Sequence, residues 1–213
     1  MALALSQDKA LIFRITHRAN LRWMIANGIH CKNSNVLDPN FVSIGNAELI
    51  EKRHHRLVTC SPFGTLSDYV PFYFTPHSPM LYNIKTGYGG IRKRSNDEIV
   101  ILVSALTALT ARNICFVFTD RHAYLSAAQF FSDLSMLDQI DWPLLRQRDF
   151  RRDPDDPGKL ERYQAEALVH RHVPIDTLIG IGCSDDRVAA DVQRMLTDNG
   201  SKLRTVSRPG WYF

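Results

Sequence analysis

Three groups of residues in this chain have the types needed for polar chemistry. Gln164 and Glu166 are two positions apart, so both would face the same side of a strand; the segment 163–169 scores equally well as a helix. His17 lies between an apolar run and a predicted helix, where backbone amides favour an anionic or polar ligand. A predicted helix at 46–56 concentrates bases near its end, namely Lys52, Arg53, His54, His55 and Arg56. Plain structural explanations also exist, since a histidine can cap a helix and bases complement a helix macrodipole.

Metal and common nucleotide chemistry are not indicated. The sequence has no Rossmann or Walker glycine motif, and neither G-x-S-x-G nor H-E-x-x-H occurs. The cysteines at 31, 60, 115 and 183 form no C-x-x-C pair, and adjacent helical residues such as His54 and His55 point apart. We therefore expect no metal site, and scattered thiols fit the reducing cytoplasm.

Composition indicates one globular domain covering residues 1–213. The 213 residues are 45% hydrophobic and 23% charged, which is enough to bury a core. The net charge of +4 permits a polyanionic partner without requiring one. The N-terminus is a poor signal peptide and no apolar run is long enough to span a bilayer, so we expect a cytoplasmic protein without a membrane partner.

Hydrophobic patterning predicts strands separated by short helices. Strands are expected at 10–16, 70–75, 98–104, 113–119, 177–183 and 203–207, and helices at 20–27, 46–56, 123–133 and 184–197. Residues 31–45 and 144–161 read as surface segments. Asp120 and Ser184 are the predicted N-caps of the last two helices.

An aromatic stretch at residues 64–82 is the most unusual part of the chain. Pro71 lacks a backbone donor, which predicts that its strand lies at a sheet edge or begins there. Ser78-Pro79 reads as a turn, followed at 83–96 by a flexible basic loop. Such a strand is typical of core, and one face of it can also form the wall of a pocket for a flat ring.

Blocks along nearly the whole chain resemble the DarT family of DNA ADP-ribosyltransferases, toxins of a bacterial toxin–antitoxin system. The matching residues are Ile15-Thr16-His17 with Asn20-Leu21; Ile50 and Arg53; Leu66, the run DYVPFYF at 68–74 and Pro76; SPMLY at 78–82; Phe118-Thr119-Asp120 with His122-Ala123; Gln164-Ala165-Glu166 with Leu168-Val169; and Trp211-Tyr212. They stand in the expected order.

The resemblance implies an α+β fold of the ADP-ribosyltransferase type, with two small packed β-sheets around an NAD cleft and short surrounding helices. It implies NAD as co-substrate, a base of single-stranded DNA as acceptor and a macrodomain antitoxin as partner. The acceptor is expected to be thymine, as in the better-known branch, with guanine the acceptor in another. The protein is expected to be a monomer.

The resemblance also implies two catalytic residues. Glu166 matches the family's catalytic glutamate, and the Gln164-x-Glu166 spacing is similar to a pattern of wider ADP-ribosyltransferases, which favours the strand. Cleavage of the nicotinamide–ribose bond creates positive charge that a carboxylate stabilises. Arg53 matches the arginine that acts on the acceptor base, where a guanidinium favours the deprotonated ring nitrogen; Arg56 is its nearest rival.

The remaining implied site residues bind the two substrates. His17 matches the histidine that holds the NAD ribose, and Thr16, Asn20 and Leu21 belong to the same block. Among the neighbouring aromatics we expect Tyr73 to flank the nicotinamide, with Met80 as apolar lining. The expected nucleic-acid-binding residues are His122, Lys85, Arg92, Arg94 and Arg152.

Two alternatives stay open on the sequence. The same fold can modify RNA, protein or guanine. A non-catalytic module is the other class, in which aromatics stack bases and basic loops hold phosphates. Nicotinamide release that depends on Glu166 separates an enzyme from such a module.

Overall fold

A computed structural model of the protein describes residues 5–213. Its strands are β1 (Leu11–His17), β2 (Ile29–His30), β3 (Tyr69–Tyr73), β4 (Ile99–Ala105), β5 (Phe116–Thr119), β6 (Phe130–Phe131), β7 (Glu166–His170), β8 (His172–Val173), β9 (Gly180–Cys183) and β10 (Thr205–Ser207). The helices are α1 (Leu21–Asn27), α2 (Ala47–Lys52), α3 (Pro79–Thr86), α4 (Leu106–Thr110), α5 (Trp142–Gln147), α6 (Lys159–Arg162) and α7 (Asp186–Asp198).

The strands form two unequal sheets. The larger has eight strands in the order β10-β9-β4-β1-β3-β7-β5-β6, and β2 pairs with β8 in a two-stranded sheet. Neighbours in the large sheet are antiparallel except β9 and β10. The expected α+β class is confirmed, and one large sheet with a small one is its actual layout.

The centre of the large sheet opens between β1 and β3. These strands pair only at Phe13 with Tyr73, whereas β3 pairs with β7 along its whole length. In the gap, Arg14 Nη1 donates to the Pro71 carbonyl oxygen at 2.9 Å. The prediction that this strand lies at a sheet edge or begins at Pro71 is therefore wrong, because β3 begins at Tyr69 and lies between β1 and β7. Pro71 is tolerated because the separation of β1 from β3 leaves no ladder bond that its missing N–H would have to make.

The core is centred on β4, whose sequence IVILVSA is almost entirely apolar; β4 is buried along its full length and pairs with β1. Helix α7 packs its apolar side on β9 and β10, and Asp185 rather than the predicted Ser184 caps its N-terminus. Near the chain end Trp211 and Tyr212 are buried, and the Tyr212 hydroxyl donates to carbonyls of Ile99 and Gly182. These contacts fix the central strands that carry the cleft.

Ser78-Pro79 starts a helix rather than the predicted turn. The Ser78 hydroxyl accepts the Leu81 N–H, and Pro79 occupies the first helical position, where its missing N–H costs nothing. The predicted flexible loop at 83–96 therefore begins inside α3, which ends at Gly87 in the left-handed conformation.

The helix predicted at 123–133 does not form. Asp120 does not cap it; its carboxylate accepts the Gln129 N–H and pairs with Arg121. This closes the segment so that Phe130–Phe131 pairs with β5. A long-range strand pairing overrides the local helix preference of the alanines.

The other predicted strands are confirmed within a few residues. Glu166 begins a strand, but the prediction that Gln164 shares it is wrong: Gln164 lies in the turn before β7, where its amide donates to the Leu160 carbonyl. Among residues 5–213, none of the helices is long and apolar enough to cross a membrane. Within the same range, no group of three metal-ligating side chains comes together.

Candidate active site

Glu166 is the buried carboxylate at the centre of the molecule. It is 3% exposed and begins β7, where its Cα neighbour on β3 is Tyr73. Arg53 Nη1 lies 3.0 Å from Oε2, and the Ala123 N–H donates to Oε1 at 3.1 Å. A buried carboxylate needs such partners. Two charge-stabilising donors therefore hold the group that the sequence singles out.

Two guanidinium groups meet beside this carboxylate. Arg53 follows α2, and its Nη2 has no hydrogen-bond partner among the described residues although it is buried. Among the same described residues, the Nε of Arg14 is also buried without a hydrogen-bond partner. Burial, together with the nearby charge of Arg53, lowers the pKa of Arg14 to about 10. Unpaired buried donors are costly, so this spot is suited to an anionic or acceptor-rich ligand.

Arg56, the rival of Arg53, has a different position. Its guanidinium donates to the carbonyl oxygens of Leu125 and Ala123 at 2.8 and 3.3 Å and lies over the Phe130 ring. It therefore holds the loop whose Ala123 N–H binds Glu166. Of the two arginines, Arg53 lines the cleft and contacts Glu166, and Arg56 does neither.

The aromatic stretch divides between the core and the cleft as alternation requires. Phe72 and Phe74 are buried in the core, whereas Tyr73 lines the cleft together with Met80. The Tyr73 hydroxyl is 3.7 Å from the Met80 sulfur, and burial raises the pKa of Tyr73, so the phenol stays neutral. This makes a flat, mainly apolar wall beside Glu166.

His122 lies against the carboxylate rather than on an outer DNA track. Its Nδ1 is 3.5 Å from Glu166 Oε1 and accepts the Tyr124 N–H. Burial lowers the pKa of His122, which the Glu166 charge partly offsets. The neutral ring therefore carries its proton on Nε2, leaving that N–H to donate elsewhere.

His17 ends β1 within a charged cluster. Its Nδ1 accepts the Ala19 N–H, and its Nε2 lies 3.5 Å from Glu98, which also binds Arg94. The Ser95 backbone N–H above all lowers the pKa of Glu98 to about 2, and burial lowers the pKa of His17. Arg94, expected on the DNA track, is instead 9% exposed and supports this cluster.

Asn20 and Leu21 are both buried, and neither is among the residues that line the cleft. The Asn20 amide donates to the Val42 carbonyl at 3.0 Å and accepts the Val42 N–H at 2.8 Å, with a further bond to Thr16. Asn20 thus fastens residues 31–45, a segment that contributes Ser43, Ile44 and Gly45 to the cleft wall.

The three remaining DNA-binding candidates lie outside the cleft. Arg92 and Arg152 are exposed, and Lys85 is half-buried on α3. Their positions leave them available for phosphate contacts without fixing a path.

The central cleft has a volume of about 240 Å³. Its lining brings together Thr16, Tyr73, Met80, His122, Arg53 and Glu166, with Arg14, Ile50 and Gln164. The residues that sequence reasoning missed are Arg14 and Glu98. The sequence contains a signal for Arg14, because a cation between Ile12 and Thr16 on an otherwise apolar strand indicates a functional side chain. Glu98 has no such signal, since its contact with His17 forms only in the folded chain.

A buried glutamate at the start of a strand, beside a tyrosine and an arginine in one cleft, is the arrangement that the resemblance to ADP-ribosyltransferases implies. The model of the family described as "ssDNA thymidine ADP-ribosyltransferase, DarT" matches residues 13–213. The chain therefore belongs to the DarT family and is a DNA ADP-ribosyltransferase.

The chain is similar to curated relatives and to solved structures over almost its whole length. A DNA ADP-ribosyl transferase of Escherichia coli O127:H6 (strain E2348/69 / EPEC) is 53% identical over 210 residues, covering 99% of this chain and 96% of that protein. The structure of Thermus sp. 2.9 DarT in complex with ADP-ribosylated ssDNA matches with a TM-score of 0.89 at 33% identity, covering 97% of each chain. The same protein in complex with NAD⁺ matches with a TM-score of 0.83 at 32% identity, covering 97% of this chain and 98% of that one.

Proposed function

We propose that the protein transfers ADP-ribose from NAD⁺ to a thymine base of single-stranded DNA, with Glu166 as the catalytic carboxylate. The observation that carries this is the buried pair of Glu166 and Arg53, 3.0 Å apart in a cleft walled by Tyr73. The relatives support it, because Thermus sp. 2.9 DarT is described in complex with NAD⁺ and with ADP-ribosylated ssDNA.

The residues of the cleft fit the reactive half of NAD⁺. At about 240 Å³ the cleft lies near the lower end of ligand pockets, about 300–1,000 Å³, so it suits the nicotinamide riboside part with the remainder outside. Tyr73 offers a flat face to the nicotinamide and Met80 an apolar contact. His17 ends β1 next to Thr16 of the cleft lining, and the proposal assigns it to a ribose hydroxyl.

Glu166 acts on the donor. Its carboxylate stabilises the positive charge that develops on the ribose when the C1–nicotinamide bond breaks, and nicotinamide leaves with the bonding electrons. Burial strengthens this interaction because little water screens it.

Arg53 acts on the acceptor. A ring nitrogen of thymine must lose its proton to attack, and the guanidinium favours the anionic ring. The new bond joins this nitrogen to ribose C1, and the proton passes to Glu166. Arg53 already contacts Glu166, so acceptor and donor groups are held together before the reaction.

The biological setting follows from the same proposal. We treat residues 1–213 as one domain, since β1 and β10 share one sheet, and we expect the protein to act as a monomer. We place the reaction in the cytoplasm, where NAD⁺ and DNA are available and thiols such as those of Cys31 and Cys183 stay reduced. A modified base in DNA is harmful, which suits a toxin whose partner is a macrodomain antitoxin that removes the mark.

Mass spectrometry of a randomised single-stranded DNA pool after incubation with NAD⁺ tests the activity. We expect the added mass of one ADP-ribose on thymine within a preferred sequence context. Modification of guanine, or of RNA or protein offered in parallel in place of DNA, would contradict the proposed acceptor.

A further inference from the structure

A second cavity, here called the side pocket, adjoins the central cleft. It has a volume of about 300 Å³. Its own walls include Trp23, His30, Val36, Leu37 and Tyr69. Six residues line both cavities and form the partition between them, and Arg14 and Arg53 are the two charged residues among the six.

The lining of the side pocket suits a flat, partly polar ring. Trp23 and Phe41 supply aromatic surface, and His30 adds a ring face. Val36, Leu37 and Phe41 are 47%, 53% and 48% exposed, and all three are large apolar side chains on one segment. Apolar surface clustered at the mouth of a cavity is typical of a binding site.

The charge of the side pocket favours a polyanion. Arg14, Arg53 and Lys32 line it, against the single carboxylate of Asp38. The Nη2 atom of Arg53 and the Nε atom of Arg14 are buried without partners at the partition. An acceptor base beside Arg53 is joined through the DNA backbone to its neighbours, and the side pocket begins on the other side of that arginine.

We propose that the side pocket binds the base of a nucleotide adjacent to the acceptor thymine and so contributes to the choice of sequence context. The inference rests on the proposed function, since it needs single-stranded DNA as the acceptor. Stacking on an aromatic side chain gives affinity, while Ser67 at the wall offers a hydroxyl to the edge of the base. Both ring nitrogens of His30 are already bound, to Ser34 and to the Asn27 carbonyl, so His30 contributes its ring face only.

The test fills the side pocket without touching the cleft. Val36→Trp and Leu37→Trp each place a large ring at its mouth, and Val206→Trp, at an exposed position of β10, is the matched control. Single-stranded oligonucleotides with one thymine are prepared with each neighbouring base in turn replaced by an abasic site. The second-order rate constant of transfer and the KM for NAD⁺ are measured for every pair.

For the wild type and the control, removal of one neighbouring base is expected to lower the rate constant about tenfold or more. In Val36→Trp or Leu37→Trp, the second-order rate constant with intact DNA is expected to be about tenfold lower than in the wild type. Removal of the same neighbouring base is then expected to lower it less than twofold further. The KM for NAD⁺ stays within twofold. This result supports a base subsite.

Three results would overturn the inference. One is an unchanged rate for the wild type whichever neighbouring base is removed. Another is full retention of the base dependence in both tryptophan variants. The last is a rise, in the tryptophan variants, in the KM for NAD⁺ or in the inhibition constant of nicotinamide. That rise would assign the side pocket to the donor NAD⁺. Failure of the wild type to modify any oligonucleotide would instead contradict the proposed function itself.

Discussion

Arg53 is the residue that, in the proposed function, connects the donor and acceptor halves of the site. It pairs with Glu166 in the cleft and also borders the side pocket. Arg56, three positions later, binds backbone carbonyls of the loop at 123–126. The same residue type therefore contacts the cleft carboxylate at one position and holds a loop at the other.

We predict that Arg53→Lys lowers kcat for DNA modification about 100-fold with little change in the Kd for NAD⁺. Lysine keeps the charge and loses the planar fork that can reach Glu166 and an acceptor base together. Steady-state transfer and calorimetric NAD⁺ binding measure the two effects. Arg56→Lys is the matched variant, and we expect a smaller loss of kcat. A larger loss for Arg56→Lys than for Arg53→Lys would reverse the assignment.

At the scale of elements, the segment at 31–45 forms one wall of the cleft and depends on a contact from the start of α1. Asn20 makes two hydrogen bonds with the Val42 backbone. Neutral hydrogen bonds contribute about 1 kcal/mol each, and 1.4 kcal/mol corresponds to tenfold in an equilibrium. Loss of both would free the wall that carries Ser43 to Gly45.

Asn20→Ala is therefore expected to raise the KM for NAD⁺ about tenfold while kcat falls less. The exposed Asn27→Ala in the same helix is the control, because its amide only donates to the Trp23 carbonyl. Initial-rate kinetics at varied NAD⁺ measure both constants. An unchanged KM with a large fall in kcat would instead indicate a direct catalytic role for Asn20.

The elements also differ in how far local sequence patterns determine them. The strands at 11–17 and 99–105 follow from apolar runs, and the Gln164-x-Glu166 pattern places the carboxylate correctly. Ser78-Pro79 fits a turn and a helix start equally well, so the residues after Pro79 decide that α3 forms. The failed helix at 123–133 and the neighbours of Pro71 depend on strands distant in sequence, which no local pattern records.

At the scale of the whole molecule, histidines couple stability to pH. Burial is the main cause that lowers the pKa of His17, His77, His122 and His170 in the folded protein. The unfolded chain then binds protons first as the pH falls. The stability that these neutral rings contribute is complete above about pH 6.5 and decreases below it.

We predict a lower free energy of unfolding at pH 5.5 than at pH 7.5, measured by urea denaturation. His122→Asn should make this difference smaller, because His122 is among the buried rings. The exposed His55→Asn is the control and should leave the difference unchanged. A free energy that rises on going from pH 7.5 to 5.5 would show that the sign is wrong.

The central claim is that Glu166 carries the chemistry of ADP-ribose transfer. Glu166→Gln keeps the shape and an oxygen for the Ala123 N–H but removes the charge that faces the ribose. Glu161→Gln, five residues earlier and exposed enough to contact water, is the matched control. Nicotinamide release and the mass of a thymine-containing single-stranded oligonucleotide are followed together with NAD⁺. We expect at least a 100-fold loss of both signals for Glu166→Gln and near wild-type values for Glu161→Gln. Wild-type transfer by folded Glu166→Gln would contradict a catalytic role for this carboxylate.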